Sequence, residues 1–318
     1  MPLKHPIVVA SPGFDENSGG VIVLHRLVDQ LRKLGHNAYL YPLRSDFTRG
    51  VKHLATGLAS RRVTAAHFGY VARGIRNRFP ALQRLLVPPP SSWDVPVAPS
   101  SILRRSVVVY PEGVSGNPLG GAHVVRWLLN KNGFSKAKVP FATNELTFYY
   151  LPAFLEGSEN VDPANVLRVR WLRHDIYQDR GRGDRHGACR LIRKGAFTGV
   201  GARPVDDDAI LIDGMSHREM ADVFNRTKIL YCHDPYTMYA YYAAVCGCVP
   251  VVLPQPGLTR EQWLASTTIF KHGVAWGVDD IERATETRSQ LILDMKQAEA
   301  TDVATVVAFV RKLRETFA

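Results

Sequence analysis

The residues of this sequence best suited to chemistry lie in the run KILYCHDPYTMYAYYAAVCGCVPVVLP, positions 228–254. Residues 229–232 have the apolar character of a strand, and His233-Asp234-Pro235 that of a turn. Residues 237–246 read as a helix, and residues 249–253 as a second strand beyond a turn at Gly247. In such a unit of a parallel sheet the helix begins at the carboxyl edge. Its unpaired backbone N–H groups and its dipole there favour an anion. Tyr236, Thr237 and Tyr239 bring hydroxyls to the same end, and Asp234 or Thr237 can cap the helix. The set suits a diphosphate or a sugar. The plainer alternative is an ordinary βαβ unit with a capped helix.

Other groups of polar residues carry less. Asp206-Asp207-Asp208 formally matches a metal-binding Asp-x-Asp, but it precedes the strand expected at 209–212, whereas a metal motif should follow one. It reads as a surface turn, and no metal is expected. Asp213-Gly214 does follow that strand and is placed to line a ligand cleft. His174, Asp175, Asp184 and His186 have ligating side chains, yet the Gly/Arg-rich segment between them fits a flexible lid better. Cys189, Cys232, Cys246 and Cys248 have neither disulfide nor zinc spacing and are expected in the core. Gly19-Gly20 opens the first helix without the full G-x-G-x-x-G pattern, and no acid closes the strand at 39–41. A nicotinamide-dependent enzyme is therefore the weaker reading.

These residues need a frame. Residues 7–10 form a β-branched run. Val21, Leu24, Leu27, Val28, Leu31 and Leu34 then keep helical spacing up to Gly35, and residues 38–41 are a second strand. Strand, glycine loop, helix, strand is the opening of a doubly wound α/β domain. Basic amphipathic helices are expected over 47–86, a strand over 107–110, a helix over 123–130 and two short strands over 145–151. After a polar linker the alternation resumes, with strands at 166–172, 190–193 and 209–212. Ser216 and Glu219 form a capping box for a helix reaching 225. Val303, Val306, Val307, Val310, Leu313 and Phe317 share one face of a last helix starting near 302.

The strand–turn–helix run that ends in Gly247-Cys248-Val249-Pro250-Val251-Val252 resembles the donor-binding segment of GT-B glycosyltransferases. The resemblance covers mainly the second half of the chain. It implies two Rossmann-like α/β domains facing across a cleft, with a C-terminal helix crossing back. The expected divisions are 1–157 for the acceptor side, 158–301 for the nucleotide-sugar side, and 302–318 for the returning helix. It also implies transfer of a sugar from a nucleotide diphosphate without a metal or a bound cofactor, the nucleotide-sugar being a co-substrate.

On the same resemblance Arg193 and Lys194 hold the diphosphate, joined by Gly214, Asp234, Tyr236, Thr237 and Tyr239. Gly19 and Gly20 let a phosphate or the acceptor approach the backbone. Asp15, Glu112 and His123, with His174 behind them, are the candidates for a base that deprotonates the acceptor hydroxyl. One departure stands out. Retaining members carry a Glu in the donor helix, where this chain has Tyr239-Ala240-Tyr241-Tyr242-Ala243-Ala244. The departure argues against a retaining mechanism and keeps a non-catalytic, degenerate transferase-like scaffold open as the alternative.

The chain has 318 residues and a formal net charge of +11. Positions 44–105 hold eleven Lys/Arg against two acidic residues. A block of this kind suits peripheral contact with an anionic membrane or an acidic acceptor. Sparse aromatics and the lack of a nucleic-acid module argue against nucleic acid. No apolar run has the length of a membrane span, and the first residues read as a strand rather than a signal peptide. A cytoplasmic protein, touching the inner membrane face, is expected. A glycan or lipid-linked acceptor in bacterial surface polysaccharide synthesis fits that setting.

Overall fold

The computed structural model describes residues 3–43, 89–134, 137–156, 158, 161–193, 208–267 and 271–317. The chain forms two compact units. One comprises Met1–Tyr150, Phe154–Trp171 and Asp302–Ala318, and the other Leu151–Ala153 and Leu172–Thr301.

The first unit is built on β1 (Ile7–Ser11), α1 (Gly19–Lys33), β2 (Ala38–Pro42), β3 (Val107–Pro111), β4 (His123–Leu128) and β5 (Leu146–Tyr149). All its strand pairings are parallel, in the order β2-β1-β3-β4-β5. Alternate residues serve two cores. Ile7, Val9, Val107 and Val109 pack with Leu24, Leu27, Val28 and Leu31 of α1, while Val8, Ala10, Val108 and Tyr110 pack on the other face with Ile102 and Leu103. A parallel sheet covered on both faces needs such uninterrupted apolar strands.

The second unit repeats the design. Its strands are β6 (Ala188–Leu191), β7 (Ile210–Leu211), β8 (Ile229–Cys232), β9 (Val249–Val252) and β10 (Ala275–Trp276), and its helices α2 (His217–Arg226), α3 (Met238–Val245), α4 (Arg260–Ser266) and α5 (Ile281–Glu286). The order β10-β9-β8-β6-β7 is again parallel throughout. Cys189, Leu191, Leu230 and Cys232 face one core; Ala188, Tyr231, Val251 and Ala275 face the other. In both units the second strand lies outside the first and the third lies inside. The winding direction therefore reverses between the first and third strands, the position at which such sheets bind ligands. Both units are Rossmann-like. The last helix, α6 (Arg288–Phe317), contributes Leu291 and Met295 to the second unit's core and Val306, Phe309, Val310, Leu313 and Phe317 to the first unit's.

Several elements differ from expectation. Residues 123–130 are not a helix: His123–Leu128 is strand β4, paired with β3 on one side and β5 on the other. One strand, not two, occupies 145–151. Residues 166–172 are extended but have no strand neighbour beyond one bridge between Tyr149 and Val166. Side chains of α6 take the place of a ladder. Arg168 N donates to Thr305 Oγ1 at 3.0 Å, Arg170 N to Asp302 Oδ2 at 2.7 Å, and Leu172 N to Glu299 Oε1 at 3.3 Å. Helix α6 begins at Arg288, well before position 302. The capping box of α2 is present, with Ser216 Oγ accepting from Glu219 N and the Glu219 carboxylate accepting from Ser216 N. All four cysteines are free and buried. The basic segment expected over 47–86, Lys194, Asp206 and Asp207 lie outside the described residues.

Candidate functional site

The switch point of the second unit lies between β6 and β8. The chain leaves β6 at Leu191, and the next two backbone N–H groups meet the Asp213 carboxylate. Ile192 N donates to Oδ2 at 2.8 Å and Arg193 N to Oδ1 at 2.7 Å. Asp213 reaches them because it follows the neighbouring strand β7. Gly214 then turns the chain with a φ of 84°, the left-handed region that glycine enters without penalty. Arg193 has a φ of 38°, and its guanidinium lies over the Tyr239 ring, 5.0 Å from the centroid. A cation over an aromatic face gains from the ring's quadrupole.

Beyond β8 the turn 233–237 is fixed by its surroundings. Gln255 Nε2 donates to His233 O at 2.9 Å, and the buried Trp263 Nε1 donates to Pro235 O at 2.9 Å. Asp234 Oδ1 accepts from Tyr236 N at 3.0 Å, and Tyr236 Oη pairs with Ser266 Oγ at 2.9 Å. Thr237, not Asp234, is the N-cap of α3: its Oγ1 accepts from Tyr239 N at 3.3 Å. Pro235 therefore lies two residues before the cap rather than in the first helical turn. Asp234, Thr237 and Tyr239 are buried and Tyr236 is half-buried.

Behind Tyr239 sits a group that sequence reading missed. Buried His217, the first residue of α2, stacks on Tyr239 with ring centroids 5.8 Å apart. Its Nδ1 is 2.6 Å from Tyr177 Oη, and Tyr177 stacks on Tyr242 at 4.1 Å and 5°. Burial pushes the Tyr177 phenol far up, and neighbouring Tyr239 and Tyr242 add to the rise. Tyr177 therefore stays protonated and can donate to His217. The sequence signal for this group was a histidine directly after the capping Ser216.

In the first unit, Asp15 follows β1 and Glu112 follows β3, so both lie at the carboxyl edge of adjacent strands. Asp15 Oδ1 accepts from Asn17 N at 3.1 Å, and Asp15 O from Ser18 N at 3.1 Å, which leads the chain into α1. Glu112 Oε2 accepts from Leu129 N at 3.1 Å. Phe14, His25, Trp93 and Trp171 cluster beside this edge, with centroids 4.8–6.4 Å apart in the pairs they form. Gly19 and Gly20 are the first two residues of α1. Among the described residues a Cβ at Gly19 would meet nothing within 4 Å, and one at Gly20 would meet Leu129 Cδ1 at 3.9 Å, an ordinary contact.

His123 does not join Asp15 and Glu112. It opens β4 and so lies at the amino edge, stacked on Phe317 at 4.4 Å and edge-on to His5 at 5.0 Å. Burial, then the nearby His5, holds its pKa below the ordinary histidine value. His174 belongs to the second unit, with Nε2 3.9 Å from Glu299 Oε2. Among the described residues no three His, Cys, Asp or Glu side chains converge as metal ligands would.

No protein-family model matches this chain, and no curated protein matches it. Among solved structures it is similar to a spinosyn rhamnosyltransferase complexed with thymidine diphosphate, with a TM-score of 0.32, 13% identity, and coverage of 98% of this chain and 95% of that one. It is also similar to the glycotransferase of kitacinnamycin, with a TM-score of 0.37, 12% identity and the same coverages of 98% and 95%.

Proposed function

We propose that this chain is a GT-B type glycosyltransferase that moves a sugar from a nucleotide diphosphate sugar to a hydroxyl of a glycan or lipid-linked acceptor. The observation that carries the reading is the position of Arg193. A guanidinium stands at the switch point of a Rossmann-like sheet, beside the N-terminus of α3. The other named residues follow from it. The acceptor oxygen attacks the anomeric carbon, the bond to the nucleoside diphosphate breaks, and negative charge grows on the leaving phosphate. Arg193 and Lys194 supply positive charge there, the N–H groups of α3 and the Thr237 hydroxyl supply hydrogen bonds, and Gly214 keeps the backbone open to the ligand. Asp234, Tyr236 and Tyr239 complete the donor contacts around Arg193 and the start of α3. Such preorganised charge is the role a metal fills in other transferases.

On the acceptor side Asp15 and Glu112 are the candidates for the base, with Asp15 preferred because it sits between the end of β1 and the start of α1. Gly19 and Gly20 leave room for an acceptor or phosphate to approach the backbone, since among the described residues no side chain crowds them. The basic block 44–105 fits a protein working at the inner membrane face on bacterial surface polysaccharide. Among the described residues no helix is long and apolar enough to cross a membrane. The second reading, a scaffold that binds a nucleotide without turning over a donor, is favoured by the carboxylate-free α3.

A thermal-shift panel of UDP, GDP, dTDP and CMP tests the site. A bound nucleotide present at ~100 times its Kd adds ~2.7 kcal/mol of stability. One nucleoside diphosphate should raise the Tm clearly. A flat response to all four at millimolar concentration would reject the nucleotide site.

A further inference from the structure

Asp213 makes an unusual pair of contacts. It is not on the strand whose end it holds. From the end of β7 it reaches across to β6 and accepts two consecutive N–H groups, from Ile192 at 2.8 Å and Arg193 at 2.7 Å. Arg193 is the one non-glycine residue with positive φ among the described residues. A residue other than glycine stays in that region only when its surroundings over-determine it, and two charge-assisted hydrogen bonds to one carboxylate do so. The consequence is local. With its φ at 38°, the chain turns at Arg193 so that the guanidinium lies on the Tyr239 ring instead of continuing the strand's alternation. A carboxylate is needed for this. It offers an acceptor oxygen to each N–H, whereas an amide of the same shape offers one oxygen and opposes the second N–H with its own donors.

We propose that Asp213 is the positioning residue of the diphosphate site: it sets the backbone that presents Arg193, and so governs how firmly a nucleoside diphosphate is held. This rests on the reading of Arg193 as the diphosphate ligand. In this role Asp213 acts through the backbone of Ile192 and Arg193.

The test is a double-mutant cycle read by calorimetric titration with UDP, GDP and dTDP. The proteins are the wild type, Asp213→Asn, Arg193→Ala and the double variant. Arg193→Ala should weaken the best-binding nucleotide by about tenfold or more, as expected when a charged hydrogen-bond partner is lost. Asp213→Asn should weaken it by about fivefold to tenfold. In the Arg193→Ala background Asp213→Asn should have less than about a twofold further effect, since residues that act through one another are non-additive. Amide hydrogen exchange at Ile192 and Arg193 should also speed up in Asp213→Asn.

Equal weakening by Asp213→Asn in both backgrounds would mean a general structural role and would overturn the proposal. So would unchanged exchange at the two amides, a result independent of any nucleotide. If Arg193→Ala weakens binding and Asp213→Asn does not, the positioning role falls while the site reading stands. If Arg193→Ala changes nothing while the wild type binds, the reading of Arg193 fails and the positioning role falls with it.

Discussion

Glu145→Gln attacks the charge pair that holds the loop between β3 and β4 of the first unit. Arg126 points from β4 into the unit and is fully buried. Its guanidinium meets Glu145 bidentately, Nε to Oε2 and Nη2 to Oε1, each at 2.7 Å. The same group donates to Val114 O at 2.6 Å and to Gly116 O, and lies 5.1 Å and 5.5 Å from the ring centroids of Tyr110 and Phe141. Gln keeps the size and one acceptor oxygen but removes the charge and turns an NH₂ towards the guanidinium. Removing one partner of a buried pair costs ~3–5 kcal/mol, because the other charge is left uncompensated. The retained oxygen and the two loop carbonyls put the expected loss at the lower end, about 3 kcal/mol. At ~2–4 °C per kcal/mol for a domain of this size, the Tm falls by about 6–12 °C. Urea and thermal unfolding followed by circular dichroism measure this. Arg126→Met with Glu145→Leu should cost less than Glu145→Gln alone, because no charge then stays buried. A loss below ~0.5 kcal/mol for Glu145→Gln would refute the view that this pair pins the segment between β3 and β4, which begins at Glu112.

Thr237→Val should lower stability by about 1 kcal/mol, since Tyr239 N loses its capping acceptor in a buried setting; an unchanged urea midpoint would show that the 3.3 Å bond contributes nothing. Beyond that loss, donor affinity should fall if the hydroxyl also meets the ligand. Asp179 accepts from Arg185 at 2.9 Å and from Arg288 at 2.8 Å, while the same two guanidinium groups cap the carbonyls of Cys246, Ala244 and Val245. Burial alone would raise its pKa; the bond from Arg288, the Gly181 N–H and the charge of Arg185 outweigh burial and hold it below the ordinary value of 3.8. A depressed carboxylate adds stability above its unfolded value and loses it as the pH falls through the folded one. The difference in stability between wild type and Asp179→Asn should thus be steady above about pH 5 and shrink towards zero as the pH drops below 3.8. A difference that does not vary with pH would remove the charge from the explanation.

Much of this frame is legible in the residues. Val21 to Leu31 announce α1, Ser216 and Glu219 announce α2, and the strand–turn–helix–strand order of 228–254 is as the spacing implies. Strand β4 misleads because Val124, Val125, Leu128 and Leu129 match helical spacing, while the buried Arg126 interrupts the apolar run expected of a strand covered on both faces. Residues 166–172 mislead in the other direction. Their N–H groups alternate as in a strand, yet Thr305, Asp302 and Glu299 receive them, and no local pattern encodes a partner more than a hundred residues away. The start of α6 was hidden because between 288 and 301 only Leu291 and Met295 are buried. Within the site, residue type narrowed the cap of α3 to Asp234 or Thr237, and the structure has Thr237. Residue type did not reveal that Asp213 would reach across a strand, nor that His123 would stand at the opposite edge from Asp15 and Glu112. The first follows from strand order, which emerges only when the sheet is assembled; the second follows from His123 opening a parallel strand where a helix was expected.

The central claim is that the second unit holds a nucleotide sugar through Arg193 and that the sugar leaves it for an acceptor. The most direct measurement follows both halves of the donor. UDP-, GDP- and dTDP-sugars labelled in the sugar are incubated with wild type and Arg193→Ala in the presence of EDTA, and the released nucleoside diphosphate and labelled product are counted. The account predicts that one donor is consumed by the wild type despite the chelator. Arg193→Ala should consume it about 100-fold or more slowly, the usual loss for a charge-stabilising donor at a leaving group. Equal rates for the two proteins, or a nucleotide that binds while none of its sugars is ever released, would contradict it.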